Sequence, residues 1–201
     1  FDAGTVSVLL GNGDGTFNDR QNFAAGVGPS GLVVLDLNGD GKLDVATSNF
    51  DGNNLSVMYG TGTGTLQAPK NYSPDKGPSA IAAADVNGDT KPDLIVTNAE
   101  SGTVTVHLAT MTGFATAKSY TVGKYPAALV LGDVNADGKV DIAVANAESN
   151  TVSVLTGKGD GTFAAGAVVS TCAYPSAIFL SDLDKPRGFS VIGKAETESF
   201  L

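Results

Sequence analysis

The sequence has few of the residues that carry most enzyme chemistry. Its 201 residues include one histidine, one cysteine and no tryptophan, and only 16% are charged. A single cysteine excludes an intramolecular disulfide, and we expect Cys172 to be a small buried apolar residue, because no histidine lies near it in sequence. His107 lies where other repeats have aliphatic residues, so we expect it to pack in a strand. No nucleophile–histidine arrangement is therefore indicated.

Positive charge and long apolar runs are also scarce. The chain has 12 Lys and Arg against 21 Asp and Glu, a net charge of −9, and no basic cluster. Such a surface repels a phosphate backbone, so we expect no nucleic-acid partner. No apolar run reaches the roughly 18 residues that a membrane helix needs, so we expect no membrane insertion. The chain begins at Phe1 without a leader, and we expect a piece of a mature protein.

One acidic loop recurs along the chain. Loops of the form D-x-N-x-D-x-x-x-D begin at Asp36, Asp85 and Asp133, 49 and 48 residues apart, and a degenerate copy begins at Asp182. A proline, an asparagine and an aromatic or aliphatic residue recur at the same spacing as the loops. They are Pro29, Pro78, Pro126 and Pro175; Asn49, Asn98 and Asn146; and Phe17, Leu66, Phe114 and Phe163. Several markers in phase indicate a repeat architecture.

Each period contains four short apolar stretches with the alternation of β-strands. In one period they cover residues 79–84, 94–97, 103–108 and 117–122, separated by the acidic loop and by glycine-containing turns. Four short strands in roughly 45 to 50 residues are typical of a propeller blade. No segment shows the apolar period of 3.6 residues that a helical solenoid requires. The sequence therefore predicts an all-β fold, a β-propeller of four-stranded antiparallel blades.

The phase of the repeats predicts the blade arrangement within a single domain, residues 1–201. Whole repeats cover about 28–75, 77–122 and 125–170, with half-blades at 1–27 and 174–201 and a further strand near 189–193. The two halves could pair to close a small ring of about four blades, which would hide their edges. The alternative is a fragment of a larger propeller, with a second copy of the chain completing the ring as a homo-oligomer.

The repeats resemble a known family. The string V-L-x-G-x-G-D-G-T-F occurs at Val8–Phe17 and again at Val154–Phe163, and the acidic loop recurs in phase with it. This pattern is similar to the FG-GAP or VCBS repeats of bacteria, which are related to the repeats of integrin α-chains. The resemblance implies a β-propeller. The sequence has G-P-S or Y-P-S where Gly-Ala-Pro is expected, so integrin-like ligand recognition is not implied.

The acidic loops present the oxygen ligands that calcium prefers. Ca²⁺ takes six to eight oxygens, and three carboxylates within nine residues repel one another unless a cation lies among them. The prediction is about three Ca²⁺ ions, each bound by side chains at positions 1, 3, 5 and 9 of a loop and by the backbone carbonyl at position 7. The ligands are Asp36, Asn38, Asp40, Lys42 and Asp44; Asp85, Asn87, Asp89, Lys91 and Asp93; and Asp133, Asn135, Asp137, Lys139 and Asp141.

These loops differ from EF-hands, because strands flank them and no glutamate stands at position 12. We therefore expect weak, extracellular-type affinity, and a secreted or cell-surface location. Thr90 replaces the glycine at position 6 of the second loop, so we expect a weaker second site. The fourth copy keeps Asp182 and Asp184 but has Ser190 at position 9, so we expect no bound metal there.

Together, the repeats and the acidic loops predict a non-catalytic, calcium-binding propeller module for extracellular binding or adhesion, with a protein or a glycan as partner. Glu100 and Glu148 occupy equivalent turns and read as turn residues rather than catalytic acids. The alternatives are a propeller domain of a secreted polysaccharide-degrading enzyme and an architectural spacer. In a lectin variant of the module, exposed aromatic residues would stack on sugars, and the candidates are Tyr59, Tyr72, Tyr120, Tyr125 and Tyr174.

Overall fold

The computed structural model describes residues 4–181, and the backbone alone of residues 190–195. Over these residues the secondary structure is entirely β, and no helix is long and apolar enough to cross a membrane. Three four-stranded antiparallel sheets follow one another along the chain, with a two-stranded sheet before them and another after them. The predicted all-β propeller fold is confirmed.

The three complete sheets are named blades one, two and three, and in each the strands pair in chain order. Blade one consists of β3 (Pro29–Leu35), β4 (Asp44–Asn49), β5 (Asn54–Met58) and β6 (Lys70–Tyr72). Blade two consists of β7 (Pro78–Ala84), β8 (Asp93–Asn98), β9 (Thr103–His107) and β12 (Lys118–Thr121), with a small hairpin of β10 (Ala109–Thr110) and β11 (Gly113–Phe114) between its last two strands. Blade three consists of β13 (Pro126–Gly132), β14 (Asp141–Asn146), β15 (Thr151–Gly157) and β16 (Phe163–Ser170).

Half-blades lie at the two ends. The first is β1 (Thr5–Val8) paired with β2 (Gln21–Ala24), and the last is β17 (Pro175–Ser181) paired with β18 (Ser190–Ala195). The strand predicted near residues 189–193 is β18. In the described residues, β18 and β1 belong to separate sheets, so the closed four-bladed ring is not observed. The arrangement agrees with the alternative prediction, a propeller fragment.

The core lies between successive blades. Strands β4, β8 and β14 are buried over their whole length, because a blade or a half-blade packs on each of their faces. The first strands contact one another in series, β3 with β7, β7 with β13 and β13 with β17. The first strand of each blade therefore lies on the inner side of the array, and the acidic loop that follows it lies at one end of the blade.

The repeated G-P-S motif links neighbouring blades. The Ser30 hydroxyl donates to the carbonyl oxygen of Pro78 at 2.9 Å, and the Ser79 hydroxyl donates to that of Pro126 at 2.7 Å. Each serine thus connects the first strand of its own blade to the first strand of the next. Blade three has Ala127 at this position, which carries no hydroxyl for an equivalent link.

Two expectations about single residues have different outcomes. His107 packs in β9 opposite Leu94, as expected, and is almost fully buried at 1% exposure. Cys172 is exposed, so the expectation of a buried residue was wrong. The physical reason is its position in the connection between β16 and β17, outside the strands that form the core.

Candidate metal centres

Each acidic loop is shaped by its own side chains. In the first loop, the Asp36 carboxylate accepts hydrogen bonds from the backbone N–H groups of Gly39 at 2.7 Å and Gly41 at 2.8 Å. The Asn38 side-chain oxygen accepts one from Asp40 at 2.8 Å, and the Asp40 carboxylate accepts one from Lys42 at 3.0 Å. These bonds fold the chain around the side chains at positions 1, 3 and 5, in the manner of consecutive Asx turns.

The other two loops repeat this geometry. The position-6 N–H donates to the position-1 carboxylate at 2.7 Å in both, from Thr90 to Asp85 and from Gly138 to Asp133. Thr90 adopts a left-handed φ of 69°, close to the 80° of Gly138, so the second loop keeps its shape despite the substitution. A β-branched residue is strained in that region, and this strain is the structural cost of lacking glycine there.

The aspartate at position 9 has a separate structural role. Asp44 is fully buried, and its carboxylate accepts hydrogen bonds from the N–H groups of Leu37 at 3.0 Å and Gly60 at 2.8 Å. It therefore joins the acidic loop to the segment that follows the third strand. The same braces occur in the other blades, where Asp93 bonds Val86 and Ala109, and Asp141 bonds Val134 and Gly157. The repeat spacing alone did not reveal this role.

The loop carboxylates influence one another electrostatically. Burial raises the pKa of Asp44, and the negative charges of Asp40 and Asp36 raise it further. Burial and the charges of Asp89 and Asp85 likewise raise the pKa of Asp93. The pKa of Asp36, in contrast, is lowered, chiefly by the hydrogen bond from the Gly41 N–H. A cation in the loop would relieve the repulsion that the buried carboxylate experiences.

The oxygen donors of a loop suit a hard cation only when carboxylate, amide and carbonyl oxygens are taken together. Among the residues that the structure describes, no three Asp, Glu, His or Cys side chains are placed to hold a metal ion by themselves. Sufficient oxygen ligands therefore require the asparagine oxygen and the position-7 carbonyl as well. The Oδ2 of Asp36 and each carboxylate oxygen of Asp44 accept a single N–H, so each keeps a second lone pair for a cation. The degenerate fourth copy, with Asp182 and Asp184, lies outside the described residues.

Lysine side chains accompany the position-5 carboxylates. The Nζ of Lys42 lies 3.4 Å from Asp40, and the Nζ atoms of Lys91 and Lys139 lie 3.7 Å from Asp89 and Asp137. All three pairs are partly exposed to solvent, and such pairs contribute little to stability. They leave the position-5 carboxylates accessible to a competing divalent cation.

A pair of tyrosines forms a second notable feature. Tyr125 and Tyr174 immediately precede the repeated proline, and their ring centroids are 6.4 Å apart with an interplanar angle of 33°. Both adopt a left-handed backbone, with φ of 50° and 55°, at the position where blades one and two have Gly28 and Gly77. Left-handed strain at a bulky residue points to a role for the side chain.

The other three tyrosines are used in packing. Tyr59 and Tyr72 pack against the core between blades one and two, and the ring of Tyr72 meets Phe114 edge-on. Tyr120 meets Phe163 edge-on, and its hydroxyl accepts the backbone N–H of Phe163 at 3.1 Å. Of the five candidates for sugar stacking, Tyr125 and Tyr174 thus remain.

Tyr125 also lines a groove between the turns of blades two and three. The groove has a volume of about 490 Å³. Its walls carry the carboxylates Glu100 and Glu148, the hydroxyls of Ser101 and Ser149, and the side chain of Lys124. An aromatic ring beside several hydrogen-bonding groups suits a ligand with both an apolar face and hydroxyls.

Comparison with protein families agrees with the geometry of the repeats. The family model of the FG-GAP-like repeat matches residues 1–47, 36–96, 85–144 and 133–185. The chain belongs to the FG-GAP-like repeat family. The resemblance inferred from the sequence is thus confirmed. No curated protein matches the chain.

Several solved structures share the fold of these FG-GAP-like repeats. One is a candidate 6-phosphogluconolactonase from Bacteroides uniformis, with a TM-score of 0.72 and 16% identity over 94% of this chain and 57% of that one. A protein of unknown function from Desulfotomaculum acetoxidans has a TM-score of 0.65 and 16% identity over 89% and 53%. An auxiliary nutrient binding protein from Bacteroides ovatus has a TM-score of 0.55 and 14% identity over 81% and 45%. The chain spans about half the length of these proteins, and identities this low show the fold alone.

Proposed function

We propose that the chain is a calcium-braced, non-catalytic binding module that acts on the cell surface or in a secreted protein. One observation carries the proposal. Three loops hold oxygen donors at positions 1, 3 and 5 in the same hydrogen-bonded geometry, beside a buried carboxylate. In the first two blades, burial and then the charges of the loop raise the pKa of that carboxylate. A bound cation would offset this concentration of negative charge.

The donors would hold calcium at the end of each blade. In the first loop they are the side chains of Asp36, Asn38 and Asp40 and the carbonyl of Lys42, with Asp44 as a further oxygen donor. Bound calcium would supply positive charge, and three ions would change the net charge from −9 to about −3. An affinity on the order of 10⁻⁴ to 10⁻³ M, as in extracellular modules, fits the small donor set. Such sites fill outside the cell, which supports an extracellular location.

The tyrosine pair and the adjoining groove are the proposed ligand site. A saccharide presents axial C–H groups to an aromatic face and hydroxyls to polar neighbours, and the negative ring face attracts the partly positive hydrogens. Tyr125 and Tyr174 supply rings, and Glu100, Glu148 and the serine hydroxyls supply hydrogen-bond partners. A glycan of the cell exterior, or a glycosylated protein, is therefore the partner that the site fits best.

Two observations support binding without catalysis. His107, the single histidine of the sequence, is buried in the core between strands. The position-9 aspartates are engaged by two backbone N–H groups each and are closed to solvent. Neither group is placed to move a proton on a bound ligand. The lactonase name of one structural neighbour is not carried over, because 16% identity supports only the fold.

Isothermal titration with calcium tests the metal proposal. We expect about three ions per chain, and the substitution D36N should remove one of them because it takes a charge from position 1. D19N is the matched control, since Asp19 is exposed and outside every loop. Absence of binding heat up to about 10 mM calcium would refute the calcium proposal.

A glycan array, probed once in calcium and once in chelator, tests the ligand proposal separately. Failure of the protein to bind any glycan on the array would refute the ligand proposal.

A further inference from the structure

A small groove lies between blades one and two, at the end that carries the acidic loops. It has a volume of about 200 Å³. Its walls are Leu37 and Asn38 of the first loop, Tyr59 and Lys70 of blade one, Lys91 of the second loop, and residues 110–113 of the small hairpin in blade two. Both blades are complete four-stranded sheets. The groove that Tyr125 lines is separate, because it is formed at the turns between second and third strands, at the other end of the blades.

The groove lies beside a turn that is shorter in blade two than in its neighbours. The stretch from Thr103 to Phe114 is one residue shorter than the equivalent stretches, Asn54 to Leu66 in blade one and Thr151 to Phe163 in blade three. The difference falls in the turn that follows the third strand, where blade two has the small hairpin of β10 and β11. This turn is the part of blade two that faces the groove.

In blade three, the longer turn fills the equivalent space. The N–H of Gly161 donates to the carbonyl oxygen of Val86 at 3.0 Å, and the same glycine lies against the side chain of Leu108 with no room for a Cβ. In blade two, the glycine of the turn, Gly113, lies instead against the hydroxyl of Tyr72. The turn of blade two thus contacts the fourth strand of blade one, and the groove lies between that turn and the first loop.

The charged side chains of the groove are both lysines. The chain has 21 Asp and Glu against 12 Lys and Arg, yet no carboxylate is among the described residues that line this groove. The Nζ of Lys70 donates to the carbonyl oxygen of Thr112 at 3.3 Å and lies 5.6 Å from the centre of the Tyr59 ring. These contacts hold the ammonium group in place, so less side-chain freedom is lost when it binds a ligand.

The amide of Asn38 adds a further donor. Its side-chain oxygen accepts the N–H of Asp40 at 2.8 Å, so its NH₂ group is the part that can donate to a ligand. Two ammonium groups and an amide NH₂ suit the oxygens of an anion, and hydrogen bonds between charged partners are the strong ones. A volume of about 200 Å³ is below the roughly 300 to 1,000 Å³ of pockets that enclose a whole drug-sized ligand, so the groove has room for one small anionic group.

We propose that this groove binds the carboxylate of an acidic saccharide, such as a uronic acid, through Lys70, Lys91 and Asn38. The carboxylate enters the groove, and the sugar ring lies over the hairpin, where Thr112 is exposed and presents a hydroxyl. The site thus reads a negative charge on a glycan. The groove at the other end, with its tyrosines and glutamates, offers no such pair of lysines.

Calcium should strengthen this site, and that part of the inference rests on the proposed function. The Nζ of Lys91 lies 3.7 Å from Asp89, the position-5 donor of the second loop. A calcium ion in that loop would engage the Asp89 carboxylate and leave Lys91 to the ligand. It would also offset the negative charge of the loops on both sides of the groove, which otherwise repels an anion. A carboxylate should therefore bind more tightly in calcium than in chelator.

Nuclear magnetic resonance of the backbone amides of residues 110–113 tests the site. In millimolar calcium, glucuronate should shift these signals with a Kd on the order of 1 mM, and uncharged glucose should not. K70Q should weaken glucuronate binding about tenfold, because it removes a charge-assisted hydrogen bond, and K91Q should have an effect of similar size. The matched control is K118Q. Lys118 has the equivalent position in blade two, 5.6 Å from the ring of Tyr120 and outside the groove, so binding should be unchanged.

The other outcomes are distinct. The same Kd for the unsubstituted protein, K70Q and K118Q would overturn the proposal. Acetate that binds as tightly as glucuronate would overturn the assignment to a saccharide, because acetate carries the carboxylate without the sugar.

A calcium titration of the unsubstituted protein separates this inference from the proposed function. Binding of about three ions with no effect on the affinity for glucuronate would overturn the link to calcium and leave the calcium sites standing. Glucuronate binding that depends on Lys70 in a protein that binds no calcium would refute the calcium sites and support the anion site.

Discussion

The carboxylate of Asp44 accepts a hydrogen bond at 2.8 Å from the backbone N–H of Gly60, sixteen residues further along the chain. Its other oxygen accepts the N–H of Leu37, and the whole side chain is buried. A brace of this kind secures two loops at the same end of the blade. Its repetition at Asp93 and Asp141 makes it a general device of these repeats.

We predict that D44N destabilises the protein even without calcium. Asparagine has the shape of aspartate but turns an NH₂ group toward one of the two backbone donors, which leaves that donor unpaired in the core. The cost should be about 2 kcal/mol in the free energy of unfolding, measured by urea denaturation in chelator. D19N, at an exposed position, should cost almost nothing. If D44N loses stability only when calcium is present, Asp44 acts as a ligand and not as a brace.

Thr90 gives a prediction about strain. Its φ of 69° is unfavourable for a β-branched residue, and Gly41 and Gly138 occupy the equivalent positions at 80°. T90G should therefore raise the free energy of unfolding by about 0.5 to 1 kcal/mol, the relief of strain less the entropy that glycine adds to the unfolded chain. The same substitution should tighten calcium binding at the second loop.

The reciprocal variant G41T checks this explanation. A Cβ on Gly41 would meet no atom within 4 Å, so the backbone conformation is the main source of any cost. G41T should destabilise the first loop by about 1 kcal/mol. Equal stabilities of G41T and the unsubstituted protein, measured by urea denaturation, would show that φ at position 6 is not a source of strain.

The buried His107 should make the free energy of unfolding depend on pH. Burial lowers the pKa of His107 from 6.5 to about 4, because the charged imidazolium would lose its hydration. Neither ring nitrogen has a hydrogen-bond partner among the described residues. Between these two pKa values the unfolded chain binds the proton and the folded one does not, so stability falls as the pH falls. The loss between pH 7 and pH 5 should be about 2 kcal/mol.

The variant H107M removes this pH dependence, because Met58 occupies the equivalent position in blade one. Its urea midpoint should change much less between pH 7 and pH 5 than that of the unsubstituted protein. Parallel pH profiles for the two proteins would mean that the histidine does not titrate with a lowered pKa.

We predict that substitution of the tyrosine pair abolishes glycan binding and leaves the stability of the fold nearly unchanged. Replacing Tyr125 and Tyr174 by the glycines of blades one and two, Y125G/Y174G, removes the left-handed strain and also removes both rings. The loss of ring packing and the relief of strain each amount to about 1 kcal/mol, so stability should change little. Glycan binding should be lost. The control Y125F/Y174F keeps the rings and should retain most of the binding, and equal binding by all three proteins would exclude the pair as a ligand site.

The sequence predicted the blades well because their signals are local and repeated. The period of 48 to 49 residues, the alternating strands and the acidic loops all recur in phase, and β7, β8, β9 and β12 lie at the predicted stretches. The position-9 brace was missed because it joins Asp44 to Gly60, a contact between loops that no spacing rule contains. The exposure of Cys172 was likewise not predictable, since it depends on which residues pack nearby.

The most direct test of the account is the melting temperature of the unsubstituted chain in millimolar calcium and in excess chelator. Binding of three ions to the folded loops alone stabilises the folded state by mass action, so calcium should raise the melting temperature by several degrees. Magnesium should do so much less, because it releases its waters reluctantly and requires a stricter geometry. The same melting temperature in calcium and in chelator would contradict the claim that calcium braces the blades.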